Sequence, residues 1–188
     1  MNIYISFFVG GVLLMSLIFL QVNMSQNSVD TTFATISSKQ VESLGGLLDH
    51  DFRKMGMGNT GSGTSIQSAD SNAITFVADL DKDLVAEVVT WRYDNTGISP
   101  AETPNPNDYY FTRSVNSQVD TLGAVVTRFR LNYRMSDGTM NSSPSAAQLE
   151  EISSIYVEMI CESPVPVNGS AYAKSTWRKV FTPANLQF

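Results

Sequence analysis

The sequence predicts an α+β fold, in which one long N-terminal helix lays its second half on an antiparallel β-sheet. Three observations predict it. No Asp, Glu, Lys or Arg occurs from Asn2 to Gln26, and the first charge is Asp30. An apolar stripe at helical spacing follows, with no proline before Pro100. Beyond Gly56 the pattern switches to about six alternating segments separated by Asp, Gly and Pro turns. Helix first and strands afterwards is the order expected of an α+β chain.

The helix comes in two halves. Ile3 to Val22 is an almost continuous apolar run, and about 20 such residues are what a helix needs to cross a bilayer core. In hydrocarbon the backbone must satisfy its own hydrogen bonds, which selects helix. After a polar patch at Asn23 to Ser28, Val29, Phe33 and Ile36, then Val41, Leu44, Leu48, Phe52 and Met55, recur every three or four residues and form one stripe. Gly56-Met57-Gly58-Asn59 is the stop signal. Unbroken, such a helix makes a rod of about 80 Å, with Gly45-Gly46 as the place where it would kink. A cleaved signal peptide is the rival reading. Against it stand the missing basic segment, the length of the apolar run and the lack of a small-residue cleavage site. The expected organisation is therefore an apolar helix over 1–27, an amphipathic continuation over 28–56 and a β domain over 57–188.

The strands follow in order. Ala73 to Leu80 puts Ile74, Phe76, Ala78 and Leu80 on one face, and Val85 to Asp94 puts Val85, Val89, Trp91 and Tyr93 in phase. With the polar turn Asp81-Lys82-Asp83 between them, the two predict a hairpin. Asn95 to Asn107, with three prolines, predicts a surface loop, as does Thr60 to Thr64. Tyr109 to Val115 is a third strand. Val125 to Arg134 alternates most cleanly, with Val125, Thr127, Phe129, Leu131 and Tyr133 inward and Arg128, Arg130, Asn132 and Arg134 outward. Ser145 to Glu151 predicts a helical turn. Ile152 to Cys161 and Ser175 to Thr182 complete the strands.

The 188 residues carry a formal net charge of −6 and a sequence pI of about 4.6. That balance argues against nucleic acid and anionic membrane surfaces as partners. With no Lys or Arg near either end of the apolar run, orientation is weakly specified, and the expectation is N-terminus inside, domain outside. Cys161 is the only cysteine, so no intrachain disulfide can form, and its position in a strand marks it as a small buried hydrophobe. His50 is the only histidine and reads as a helix-end side chain. One His and one Cys make no zinc set, and no nucleophile elbow, phosphate loop or dinucleotide fingerprint is present. No enzyme is expected, and no cofactor, with one exception. Asp79, Asp81, Asp83 and Glu87 could offer oxygen ligands to Ca²⁺, although Leu84 and Thr90 stand where an EF-hand loop needs Gly and Glu. A solvated hairpin turn is the alternative. The Arg128, Arg130, Arg134 stripe is either a solvated face, a partner for acids of a neighbouring subunit, or a site for a foreign partner. Asn141-Ser-Ser and Asn168-Gly-Ser are glycosylation sequons by pattern.

The amphipathic helix closes on Asp51-Phe-Arg53-Lys-Met-Gly56, an acidic-x-Arg-x-x-Gly signature. Ile74-Thr-Phe76-Val-Ala-Asp79-Leu-Asp81, Trp91-Arg-Tyr93, Phe111-Thr-Arg113, Val126-Thr-Arg-Phe129-Arg-Leu131-Asn-Tyr133 before Asp137-Gly138, and Pro183-Ala-Asn185-Leu186 follow. Motifs of this kind in this order resemble the type IV pilins and pseudopilins, nearest to the minor pilins and pseudopilins of the J or W type. Two departures stand out. No basic leader precedes the apolar run, and with Met1 as the mature first residue, Ile5 stands where the family carries a Glu.

The resemblance implies a structural filament subunit. It would be held in a bacterial inner membrane and then assembled with copies of itself or other pilin-like subunits into a periplasmic or surface filament. Ile3, Tyr4, Ile5, Phe7, Phe8, Leu13, Leu14, Leu17, Ile18 and Phe19 would form the filament core, with Gly10, Gly11 and Ser16 permitting close approach. The alternative is a single-pass membrane-anchored β-sheet binding or adhesion module that never polymerises.

Overall fold

α1 (Asn2–Arg53) runs unbroken for 52 residues, as a proline-free segment permits. The computed structural model describes residues 2–59, 64–94, 104–122, 126–167 and 171–183. The helix stops where the glycines stand. Gly56 and Gly58 have φ of +80° and +73°, the left-handed region that glycine enters without penalty. The Gly56 N–H donates to Val77 O at 2.8 Å, and Met55 forms an antiparallel bridge with Ala78. The stop signal therefore also joins the helix end to the first sheet.

That sheet contains β1 (Ile66–Ala69), β2 (Ala73–Ala78), β3 (Glu87–Asp94), β4 (Tyr110–Val115) and β5 (Gln118–Thr121), antiparallel and in sequence order. A second antiparallel sheet runs β7-β6-β8-β9, from β6 (Val126–Met135), β7 (Met140–Asn141), β8 (Ile152–Glu162) and β9 (Lys174–Phe181). A short 3₁₀ helix, η1 (Ala146–Glu151), precedes β8 where a helical turn is predicted. The β2–β3 hairpin forms as expected, with Ile74 opposite Trp91 and Phe76 opposite Val89. A bridge between Tyr109 and Val126 joins the two sheets.

The core lies where α1 meets both sheets. Phe52 packs edge-on against Phe76 at 5.3 Å and tilted against Phe181 at 4.9 Å. Trp91, Phe111 and Phe129 continue the aromatic chain at 5.2 and 4.8 Å. On β8, Ile155, Val157, Met159 and Cys161 are buried as their alternation predicts.

Several expectations need correction. Two sheets form rather than one, with nine strands among the described residues rather than about six. β1, β5 and β7 are four residues or fewer, too short to alternate visibly, and pairing with a neighbour creates them. On β6 a bulge between Val126 and Arg128 shifts the phase, so Val126 is buried and Thr127 only half-buried. Val85 lies outside β3 and is exposed, and Leu80 sits in the turn. The end of the Asn95–Asn107 loop is not all surface, because Asn105 is buried and both Asn105 and Asn107 donate side-chain hydrogen bonds to Glu162 Oε2. The amphipathic half docks later than its pattern begins, since Val29 and Ile36 remain exposed. Val125, the 60–63 and 95–103 parts of the predicted loops, the Asn168 sequon, and Asn185 and Leu186 lie outside the described residues.

Gly45-Gly46 does not interrupt the helix. A Cβ on Gly45 would stand 2.5 Å from Trp177 Nε1, whereas one on Gly46 meets nothing within 4 Å. Gly45 is thus the seat that lets the β9 indole reach the helix. Gly46→Ala is expected to stabilise the detergent-solubilised chain by about 0.5–1 kcal/mol, the gain in helix propensity. Gly45→Ala is expected to destabilise it, because overpacking costs about 1–3 kcal/mol. Paired thermal melts check this, and a rise in both variants would refute the seat.

Candidate functional site

From Ile3 to Met24 the large apolar side chains of α1 touch no folded part of the protein and face outward. Among the residues assigned to assembly, exposure runs from 51% at Ile18 to 82% at Tyr4, and Ile3, Ile5, Phe7, Phe8, Leu13, Leu14, Leu17 and Phe19 lie between. Gly10 and Gly11 have open space around them. The helix is long and apolar enough to cross a membrane by length and composition, and the apolar window is unburied. It is compatible with a membrane anchor. Four hydroxyls are satisfied within the helix: Ser16 Oγ donates to Val12 O at 3.0 Å, and Thr31, Thr32 and Thr35 donate to the carbonyls four residues back at 2.8 Å. Such back-bonding removes the need for water at those positions.

The free half is only as firmly held as the docked half. Beside the apolar packing, a buried polar node fastens it. Asp51 has no exposure. Its Oδ2 accepts Trp91 Nε1–H at 3.0 Å and Arg113 Nε–H at 2.7 Å, and its Oδ1 accepts Arg113 Nη2–H at 3.0 Å. The guanidinium fork thus grips both carboxylate oxygens, the strong form of this pair. The three residues meet because the β3–β4 register places Trp91 opposite Arg113, with both side chains toward the helix end. The Asp51 hydrogen bonds push the Arg113 pKa above its ordinary value, so this cation stays charged at any working pH. Two residues earlier, Asp49 accepts from Arg53 at 2.8 Å and from Lys179 on β9. Burial raises the Asp49 carboxyl, but these two hydrogen bonds outweigh it and leave the pKa below the usual carboxylate value.

The acidic turn is built differently from a ligand cage. Asp79, Asp81 and Glu87 bring carboxylate oxygens within 4.8 Å of one another, while Asp83, expected as a fourth ligand, is not in that group. Both Asp79 oxygens already accept backbone N–H groups, from Lys82 at 2.6 Å and Leu84 at 3.1 Å. Glu87 Oε2 accepts the Leu80 N–H at 2.8 Å, and Asp83 Oδ1 accepts that of Val85 at 2.8 Å. Lys54 Nζ caps the Leu80 carbonyl. The turn closes on its own hydrogen bonds, so equal melting temperatures in millimolar calcium and in chelator are the expected result. A rise of several degrees with calcium, abolished in Asp81→Asn, would instead make it a calcium site.

Five further residues fall where the sequence places them. Arg128, Arg130 and Arg134 are exposed along β6. His50 is a half-exposed helix-end side chain with Nδ1 3.2 Å from Asp51 Oδ1. Cys161 is fully buried, and burial pushes its thiol up to about 12, which leaves negligible thiolate for chemistry. Asp51, Trp91 and Arg113 are what sequence reasoning missed as a unit. Each stands in a quoted motif, but 40 and 62 residues separate the contacts, and no spacing rule links them. The one available signal was a charged residue inside the apolar stripe's reach.

No protein-family model matches this chain, and a search of curated proteins finds no match.

Proposed function

We propose that this chain is a structural subunit of a filament of the type IV pilus or pseudopilus kind. In this reading the apolar half of α1 stores the subunit in a membrane. Assembly then withdraws that half from lipid and packs it among the same halves of neighbouring subunits. The β domain coats the outside, and the finished filament stands in the periplasm or at the cell surface. No catalysis and no cofactor take part.

One observation carries the proposal. A single uninterrupted helix is bare and apolar over its first half and welded to a folded domain over its second. A simple anchor needs only the bare half, and a rigid extension clamped by Asp51 adds nothing to lipid binding. A filament needs both, because packing the bare halves must position the domains. Gly10 and Gly11 suit close helix contact, since small residues let helix backbones approach.

Electron microscopy of native material sheared from cells tests the reading. Filaments built mainly from this chain are expected, and Gly11→Leu is expected to abolish them while leaving the chain in the membrane fraction. Membrane-bound monomers with no filaments, indifferent to Gly11→Leu, would leave the anchored binding module in its place.

A further inference from the structure

Strand register gathers the arginines of the second sheet onto its outer face. Arg130, Glu158 and Arg178 form one cross-strand row, Arg128, Ile160 and Thr176 another, and Asn132, Tyr156 and Val180 a third. Arg134 and Met140 close the edge as partners on β6 and β7. These positions carry four guanidiniums against the Glu158 carboxylate, and the next row pairs Glu162 with Lys174, in a chain whose formal net charge is −6. Glu158 is taken by Arg178. Among the described residues no ion pair engages Arg128, Arg130 or Arg134. Half-exposed Val180 and Met140 lie among them. The face is therefore basic, with exposed apolar side chains on its two edge strands.

The complement sits on the other sheet. In the β2–β3 turn, Asp81 and Asp83 are exposed, and beside them Leu84 is 79% and Val85 63% exposed. Lys82 and Leu84 hold φ of +70° and +74°, which costs free energy for side chains that are not glycine. Their N–H groups are tied to the buried Asp79 carboxylate. The structure thus spends strain to hold an apolar pair flanked by acids in open water. A preformed loop of this kind loses little entropy on docking.

We propose that the outer face of the second sheet docks the β2–β3 turn of a second copy of this chain. Asp81 and Asp83 approach Arg130, Arg134 and Arg178, while Leu84 and Val85 cover Tyr156 and Val180. The two surfaces differ, so the contact is head-to-tail, and repetition of a head-to-tail contact yields a ring or an open helix. Opposite charge sets the register. An anionic polymer fits less well, because the chain as a whole repels it and it would leave the exposed apolar side chains of Met140 and Val180 uncovered. This contact rests on the filament reading and names what joins the domains once the helices have packed.

The test uses the full-length chain in cells, with Val85→Cys and Asn132→Cys introduced together and Cys161 left in place. Oxidation is expected to give a ladder of disulfide-linked oligomers that needs both new cysteines. Arg130→Glu with Arg134→Glu should reduce the ladder about tenfold, and adding Asp81→Arg with Asp83→Arg should restore it. Melting temperatures establish that the reversed chains fold, and Arg130→Gln with Arg134→Gln replaces the reversal where they do not. Filaments without a ladder, or with a ladder blind to charge reversal, overturn the docking surface and leave assembly standing. Absence of both filaments and ladder overturns both. Retention on an acidic polysaccharide that depends on these arginines, with no charge-dependent ladder, overturns it in favour of a polyanion site.

Discussion

Asp51→Ala should lower the melting temperature by on the order of 10 °C. The substitution leaves the Arg113 guanidinium, whose side chain is 15% exposed, without its counter-charge, and it orphans the Trp91 N–H. Breaking a buried pair from one side typically costs about 3–5 kcal/mol, and in a chain of this size each kcal/mol moves the midpoint by about 2–4 °C. The attribution has its own control. Asp51→Leu combined with Arg113→Met removes both charges, and well-packed apolar replacements of buried pairs are often close to neutral. The double variant should therefore regain most of the loss, with only the Trp91 donor left unsatisfied. Simple addition of the two single losses would mean that the residues do not act as a unit. Intrinsic tryptophan fluorescence reads the transition directly, since Trp91 is part of the node.

The second large effect lies at the other end of α1. Leu13→Asp with Leu17→Asp should release the chain from the membrane fraction and abolish any filament. A charged side chain near the centre of a spanning helix costs about 3 kcal/mol on insertion scales. Two therefore cost about 6 kcal/mol, a shift of roughly ten-thousand-fold in partitioning. The melting temperature of the β domain should stay within about 1 °C of the parent, because Leu13 and Leu17 are 60% and 66% exposed and contribute nothing to the core. Fractionation and a thermal melt on the same preparation separate the two. A fall in melting temperature comparable with that of Asp51→Ala would show that the apolar half contributes to the fold, contrary to its exposure. The two variants thus divide the helix by role, with Asp51 fastening the domain and the Leu13 region engaging lipid or other helices.

Much of this was legible from the residues in order. The two halves of the helix could be read because a helix buries a stripe at a period of 3.6, and a charge-free run of that length has few solvents to choose from. The same logic located β2, β3, β6, β8 and β9, whose inward residues alternate over six or more positions, whereas β4, also expected, buries only Phe111. It failed at β1, β5 and β7, where two to four residues carry no period. It also failed at Val126, where a bulge changes the phase without a sequence mark. Of the acidic turn, the cluster was visible but not its closure, because the backbone N–H groups that satisfy Asp79 are the same in every sequence.

By itself the sequence determined the long helix, its division into a bare and a docked half, the β character of the rest and the inert burial of Cys161, all properties of local periodicity and composition. Only the tertiary structure decided that the strands divide into two sheets. It alone set Gly45 beneath the Trp177 indole, brought Asp51, Trp91 and Arg113 into one buried node, and aligned Arg178 with Arg130 across Glu158. These depend on which strand lies beside which and in what register. Register is settled by the packing of the whole core, to which no short stretch of sequence has access.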